Sequence, residues 1–386
     1  MILEVPVTRY YKPESFLRYL KYNTVREFLE FIGIDNKLPP KLKIQSRAGY
    51  LKKLFDSIDE ATNKQIDAIF REVHAMGNES GIMTLLNLFK NPHPNLAKEI
   101  QNKSNNYNQA LYIYMKDPEL FKRAATLSYY DDKKIKAQRN GLKQVPVNEL
   151  YDRKEALAKA ISQYLMTTDG RGENCVVETH DHYEGKVLFV ALPEDYVRPD
   201  LYYDENRQLV KATKKPSFEI LFIYYPSEGK LELACKGGKK REKALFNMFN
   251  AVVLRDETPI LENQVIYNLE KFIEPDFKLI TKPEHDIQEV RVKRIKFQHR
   301  HNPEYKHTIE LNAESRNTPF RIALAKTNVN PDEMKIMHVA VNLKFPGKGR
   351  RGSVTMELTA PDKCSLNESQ LHQKAREYIS YWGIEH

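Results

Sequence analysis

Apolar residues recur at helical spacing from the start of the chain to about residue 165. Ile66, Ile69, Phe70 and Val73 fall at i, i+3, i+4 and i+7, which is one buried stripe of a helix. Tyr107, Leu111, Tyr114 and Met115 repeat that spacing, and Leu150, Leu157, Ile161, Tyr164 and Leu165 extend it. Thr24 followed by Glu27 has capping-box spacing, and Gly33 is placed to stop that helix in the left-handed conformation. Pro39-Pro40, Pro92, Pro94 and Pro118 punctuate the helices, and Pro146 is placed to open the last one. No fixed repeat period emerges, so a solenoid is not expected.

The pattern changes at Thr167-Thr168-Asp169-Gly170-Arg171-Gly172, a polar, glycine-bearing break. Beyond it, Glu219-Ile220-Leu221-Phe222-Ile223-Tyr224-Tyr225 is a continuous apolar run with the length of a buried strand. Leu231, Leu233 and Cys235 then alternate with Lys230, Glu232 and Ala234, the period of a half-buried strand. Leu245, Phe249 and Val252 stripe a following helix over 239–254. The last third repeats the order. Val339, Val341, Leu343 and Phe345 alternate; Val354, Met356 and Leu358 form the partner strand across a glycine-rich turn. Ser365 with Glu368 is a second capping box before a helix striped by Leu371, Ala375, Tyr378, Ile379 and Trp382, and Gly383 ends it. An aromatic-Pro step leaves the first strand in each copy (Tyr225-Pro226, Phe345-Pro346), and a glycine enters the second (Gly229, Gly352).

The expected fold class is therefore α+β. An all-helical domain over 1–168 precedes two similar strand-hairpin-helix units of mainly antiparallel sheet, over 169–275 and 284–386. A Pro- and acid-rich joint, Glu274-Pro275-Asp276 to Pro283-Glu284, separates those units.

Composition narrows the class. The length of 386 residues suits two or three domains, and the mean hydropathy of −0.62 leaves no apolar run long enough to span a membrane. The first residues, Met1-Ile2-Leu3-Glu4-Val5-Pro6, lack the order of a secretory signal, so a cytoplasmic protein without a membrane partner is expected. Cys175, Cys235 and Cys364 lie too far apart for a disulfide framework or a paired-cysteine zinc site.

Charge adds a direction. Lys and Arg number 61 against 52 Asp and Glu, a net +9, distributed as +7 over 1–170, −3 over 171–280 and +5 over 281–386. Lys236-Gly237-Gly238-Lys239-Lys240-Arg241 joins a strand to a helix, so backbone amides, a helix start and four cations converge there. That combination attracts phosphate. Lys348, Arg350 and Arg351 occupy an equivalent glycine-rich hairpin tip. Arg291, Lys293, Arg294, Lys296 and Arg300 follow one strand, and Lys133, Lys134, Lys136 and Arg139 form a fourth run. Any one such run is ordinarily solvated surface. Two basic tips on related units instead suggest a shared face for a polyanion. No base-reading motif accompanies them, so contact with DNA or RNA is expected at the backbone and should be salt-sensitive.

A search for chemistry returns little. His180-Asp181-His182 carries metal-ligand residue types, but on a strand the two imidazoles face one way and the carboxylate the other. It reads better as a polar strand edge. His299, His301 and His307 sit among cations, which disfavour imidazole protonation and repel a metal ion; this group reads as a loop that meets phosphate. Glu289-Val290-Arg291 after Asp286 has the spacing of a metal nuclease but puts Arg where Lys belongs. No phosphate-binding P-loop, dinucleotide fingerprint or nucleophile elbow is present. Cys235 alternates with core leucines and reads as packing, although Lys236 and the helix start could lower its pKa. No catalytic residue, metal or cofactor is assigned.

Tyrosines number 22, several in pairs (Tyr10-Tyr11, Tyr129-Tyr130, Tyr202-Tyr203, Tyr224-Tyr225), and on a strand adjacent members face opposite sides. An exposed Tyr can anchor a protein interface or stack on single-stranded bases. The best reading is a non-enzymatic binding or adaptor protein. Its helical domain would dock a protein partner, and Lys236, Lys239, Lys240, Arg241, Lys348, Arg350 and Arg351 would contact a DNA or RNA backbone. The alternatives are a hydrolase or nuclease using His180, Asp181 and His182, or a pure protein–protein scaffold. A mobile-element or antiviral defence context suits such a chain, although no residue assigns it there.

Overall fold

The computed structural model describes residues 10–34, 44–133, 137–182, 185–204, 206–260, 264–274, 276–311, 330–346, 352–367 and 369–386. It divides the chain into two compact units, Met1–Asp132 and Lys133–His386.

The first unit is helical: α1 (Pro13–Tyr19), α2 (Tyr22–Phe31), α3 (Ile44–Asp56), α4 (Glu60–Met76), α5 (Glu79–Phe89), α6 (Leu96–Gln101), α7 (Asn106–Lys116) and α8 (Pro118–Asp131). Ile66, Phe70 and Val73 of α4 and Leu111 and Tyr114 of α7 are buried in its core, and Ile69 packs against them half-buried. Short acceptors close the helix starts. Asp59, Asn78, Asn105 and Asp117 each accept a backbone N–H from within the first turn of α4, α5, α7 and α8. Thr24 does not cap α2, because that helix already begins at Tyr22 and Thr24 is buried inside it. Its start is tied across the fold instead, the Lys21 N–H donating to Asn108 Oδ1 at 2.7 Å.

The second unit is built on two antiparallel sheets. The first contains β1 (Ala137–Arg139), β2 (Cys175–Asp181), β3 (Val187–Pro193), β6 (Ile220–Tyr225) and β7 (Lys230–Ala234), in the order β1-β7-β6-β3-β2. Between β3 and β6, β4 (Arg198–Tyr203) and β5 (Leu209–Lys214) form a separate two-stranded hairpin. Helices α9 (Lys154–Asp169) and α10 (Gly238–Val252) cover one face, where Leu157, Ile161, Leu165, Leu245 and Phe249 meet Phe189, Phe222, Tyr224 and Leu233. The sequence break at 167–172 lies inside this unit: Gly170, at φ 66°, ends α9 and turns the chain toward β2.

The second sheet holds β8 (Glu289–His299), β9 (Lys306–Glu310), β10 (Met334–Lys344), β11 (Ser353–Thr359) and β12 (Lys363–Cys364), in the order β12-β11-β10-β8-β9. Its core face packs on α11 (Gln370–Tyr381) through Ala375, Tyr378, Ile379 and Trp382. Ser365 does not cap α11, whose N-cap is Ser369; the Ser365 hydroxyl instead accepts the Glu357 N–H of β11 at 2.9 Å. Both sheets end in a hairpin and a helix, as the sequence suggests. They differ before it: β2 and β3 lie in chain order beside β6, whereas β8 sits next to β10 and β9 takes the edge.

One strand position departs from the expected alternation. Glu232 of β7 is fully buried rather than half-exposed, because that face of the first sheet is also covered, with Leu188, Val190, Leu221 and Ile223 buried there. The carboxylate accepts from Arg376 Nη1 of α11 at 2.8 Å and has Lys230 Nζ at 3.6 Å. Other polar contacts tie the two sheets at the β1 edge. Gln138 donates to Glu385 at 3.0 Å and accepts from the Tyr267 hydroxyl at 3.1 Å, and Arg139 pairs with Asp362.

Candidate functional site

The site grows from the turn between β7 and α10. Gly237, at φ 121°, and Gly238, at φ 79°, adopt backbone conformations that glycine tolerates best. Having no side chain, Gly237 caps α10 without an acceptor, so the N-cap residue itself leaves the first amides of the helix uncapped. The first turn contains no acid and carries Lys239, Lys240 and Arg241. Cations at this end oppose the helix dipole, at a cost of about 0.3–1 kcal/mol each near a surface. An anion at the same place reverses the sign of that term.

Arg241 does not project outward with the two lysines. Its Nη1 donates to the Lys236 carbonyl at 2.7 Å, folding over Gly237, where a Cβ would run into the guanidinium. Its other terminal nitrogen pairs with Asp169, at the end of α9. Asp169 also accepts from Arg171 Nε and Nη2, each at 3.1 Å, and Arg171 reaches on to Asp195. Burial opposes the charge on Asp169, but the Thr168 hydroxyl and the two guanidiniums outweigh it and hold the carboxyl below the usual carboxylate range. The basic loop is thus pinned from behind by one carboxylate.

Lys236, Lys239 and Lys240 remain exposed. Lys239 and Lys240, with Arg139, Lys243, Lys363, Glu242, Asp362 and Pro361, line a cleft of about 300 Å³. Its acids are already engaged. Asp362 is buried against Arg139, and Glu242 accepts from Lys363 at 2.7 Å. The lining carries five cations against two carboxylates, and among the described residues neither Lys239 nor Lys240 forms an ion pair. Arg139 is held within this wall, its guanidinium 4.7 Å from the centre of the Phe246 ring.

The other sequence candidates are placed as follows. Lys348, Arg350 and Arg351 lie outside the described residues, as do Lys134 and Lys136. Lys133 pairs with Glu219 at 2.7 Å. Three of the five cations of the β8 run are paired, Arg291 with Glu289 at 3.5 Å, Arg294 with Glu310 and Glu357, and Arg300 with Glu270 at 3.1 Å, while among the described residues Lys293 and Lys296 form no ion pair. His180 Nε2 lies 3.3 Å from Glu178, Asp181 accepts from the Tyr151 hydroxyl, and His182 is buried. The three therefore do not converge on one point. His299 meets Glu333 at 3.3 Å and Nδ1 accepts from the His301 N–H, while His307 stands exposed on β9. Among the described residues no three His, Cys, Asp or Glu side chains group to hold a metal ion. Burial pushes the Cys175 and Cys364 thiols up to about 11, and Cys235 is half-buried against the core between the first sheet and its two helices.

Asp169, Arg171, Lys243, Asp362 and Lys363 were not expected at this site. Asp169 and Arg171 belong to the glycine-bearing break, where their composition signals only a turn; Asp362 and Lys363 come from the second sheet, more than a hundred residues away. No protein-family model and no curated protein matches the chain. Among the described residues no helix is long and apolar enough to cross a membrane.

Proposed function

We propose that the chain is a nucleic-acid-associated binding protein that grips a DNA or RNA backbone with the loop Lys236–Arg241. The observation that carries this reading is the pair of exposed, unpaired lysines, Lys239 and Lys240, at an uncapped helix start beside a cation-rich cleft. Three cations in that first turn work against the helix in isolation and favour it once phosphate oxygens sit on its amides. Arg241 serves as the positioning residue of the loop, and Lys236, Lys239 and Lys240 as the phosphate contacts. The basic tip with Lys348, Arg350 and Arg351 extends the same reading from sequence. The helical unit, which exposes Tyr10, Tyr19 and Phe31, provides the docking surface for a protein partner.

Fluorescence polarisation with short single- and double-stranded DNA and RNA tests this. Micromolar or tighter binding that weakens steeply with salt is expected. No binding to any of the four at low salt overturns it.

A further inference from the structure

We infer that the cleft beside the basic loop is a pocket for the terminal phosphate of a nucleic-acid strand; the inference rests on the backbone-binding reading above and adds which part of the strand the cleft takes. Three elements build it. Arg139 comes from β1, Glu242 and three lysines come from the first two turns of α10, and Asp362 and Lys363 come from the turn into β12. The Arg139 and Asp362 side chains are only 8% and 5% exposed, and Glu242 is buried too, so these three form the inner end. Lys239, Lys240 and Lys243 are exposed and stand at the mouth.

Two ion pairs join the walls at that inner end. Arg139 of the first sheet meets Asp362 of the second, and Lys363 donates to Glu242 of α10 at 2.7 Å. A continuous strand cannot thread past these pairs. The volume of about 300 Å³ lies at the small end of the range for ligand pockets, about 300–1,000 Å³, so the cleft admits the end of a chain and not a run of nucleotides. Arg139 is already fixed in place: Nη1 donates to the Gln138 carbonyl at 2.7 Å, and the centre of the Phe246 ring lies 4.7 Å from the guanidinium. A group held before the ligand arrives costs little further ordering on binding.

Charge makes the same selection. The lining holds five cations and two carboxylates, and each carboxylate is engaged by a cation of the opposite wall. An internal phosphodiester carries one negative charge, whereas a terminal monoester carries about 1.5 to 2 at pH 7 and offers three acceptor oxygens. A concave site with a surplus of cations stabilises that second charge more than open water does. Lysines on one rim, each with three donors, can share the third oxygen. The loop residue Lys236 lies outside this lining and is left to grip the backbone that follows the end.

The test uses an oligothymidylate of about 12 nucleotides, labelled at an internal base, with a hydroxyl or a phosphate at either end. A hydroxyl-ended strand two nucleotides longer adds diester charge without a terminal phosphate. The full chain should bind a strand phosphorylated at one end at least about tenfold more tightly than hydroxyl-ended strands of either length, the equivalent of one hydrogen bond to a charged group. Lys243→Gln, at an exposed position outside the loop, should remove most of that preference, and Lys243→Arg should keep it. Thymidine 5′-monophosphate should displace the phosphorylated strand only at concentrations far above the affinity of the strand. Equal affinity for all strands, an equal gain from added length, or a preference that survives Lys243→Gln overturns the end pocket and leaves the phosphate loop standing. Displacement by the mononucleotide at concentrations matching the strand affinity makes the cleft a site for free nucleotide and also overturns it. No binding of any strand at low salt overturns the phosphate loop itself, and the pocket with it.

Discussion

Asp169, the last residue of α9, and Arg241, in the first turn of α10, form an ion pair across 72 residues of sequence, with side chains only 15% and 11% exposed. The same carboxylate holds Arg171, so its charge is shared by two guanidiniums. Asp169→Asn leaves both facing a neutral amide. The expected cost is about 2 kcal/mol, typical of hydrogen bonds to charged partners, read as a lower midpoint in urea denaturation. Nucleic-acid affinity should fall as well, because the Lys236 carbonyl loses its fixed donor. An unchanged midpoint would show that the pair does not anchor the loop.

Glu232 and Arg376 join the first sheet to α11 around a carboxylate with no exposed surface. Removing Arg376 leaves the buried carboxylate with only Lys230, 3.6 Å away, so Arg376→Ala should destabilise the protein by about 2 kcal/mol or more. The double variant Glu232→Gln with Arg376→Met removes both charges and should recover much of that loss. A double-mutant cycle in urea checks the coupling. Additive costs would mean that this pair does not hold the two sheets together.

His338 supplies the pH dependence. Its imidazole is nearly buried on β10, with Nδ1 sharing a 2.9 Å hydrogen bond with the Thr359 hydroxyl. Burial lowers its pKa below the ordinary value; Lys296 and Arg294 act in the same direction, and Glu357 opposes them. The folded state therefore favours the neutral ring. Its contribution is complete above the ordinary histidine pKa and is lost as pH falls from that value through the lowered folded one, because the unfolded chain takes up the proton first. Stability should drop between about pH 7 and 5 by less in His338→Gln than in the unaltered protein. Equal losses in the two proteins would remove His338 as the source.

Much of the fold was legible in the chain because periodicity reports burial. The stripes of α4 and α7, the apolar run of β6 and the stop at Gly383 follow directly from apolar spacing or glycine placement. The failures share one cause, which is tertiary substitution for a local rule. Thr24 and Ser365 have capping-box spacing, yet α2 begins on a bond from Lys21 to Asn108 and Ser365 serves β11. Glu232 breaks the alternation of β7 because Arg376 arrives from α11 to receive it. At the candidate site, local sequence brings Lys236, Lys239, Lys240 and Arg241 together. Which of these cations stay exposed depends on Asp169, whose distance along the chain hides it from any local pattern.

The most direct test of the phosphate-loop account is the salt dependence of nucleic-acid binding by the unaltered protein and by Lys239→Glu with Lys240→Glu. On duplex DNA, each phosphate that a lysine no longer neutralises should make the slope of log affinity against log salt concentration shallower by about 0.9. The account predicts a slope shallower by about two and weaker binding across all sequences alike. An unchanged slope in a variant that folds normally would place the phosphate-binding residues elsewhere and contradict it.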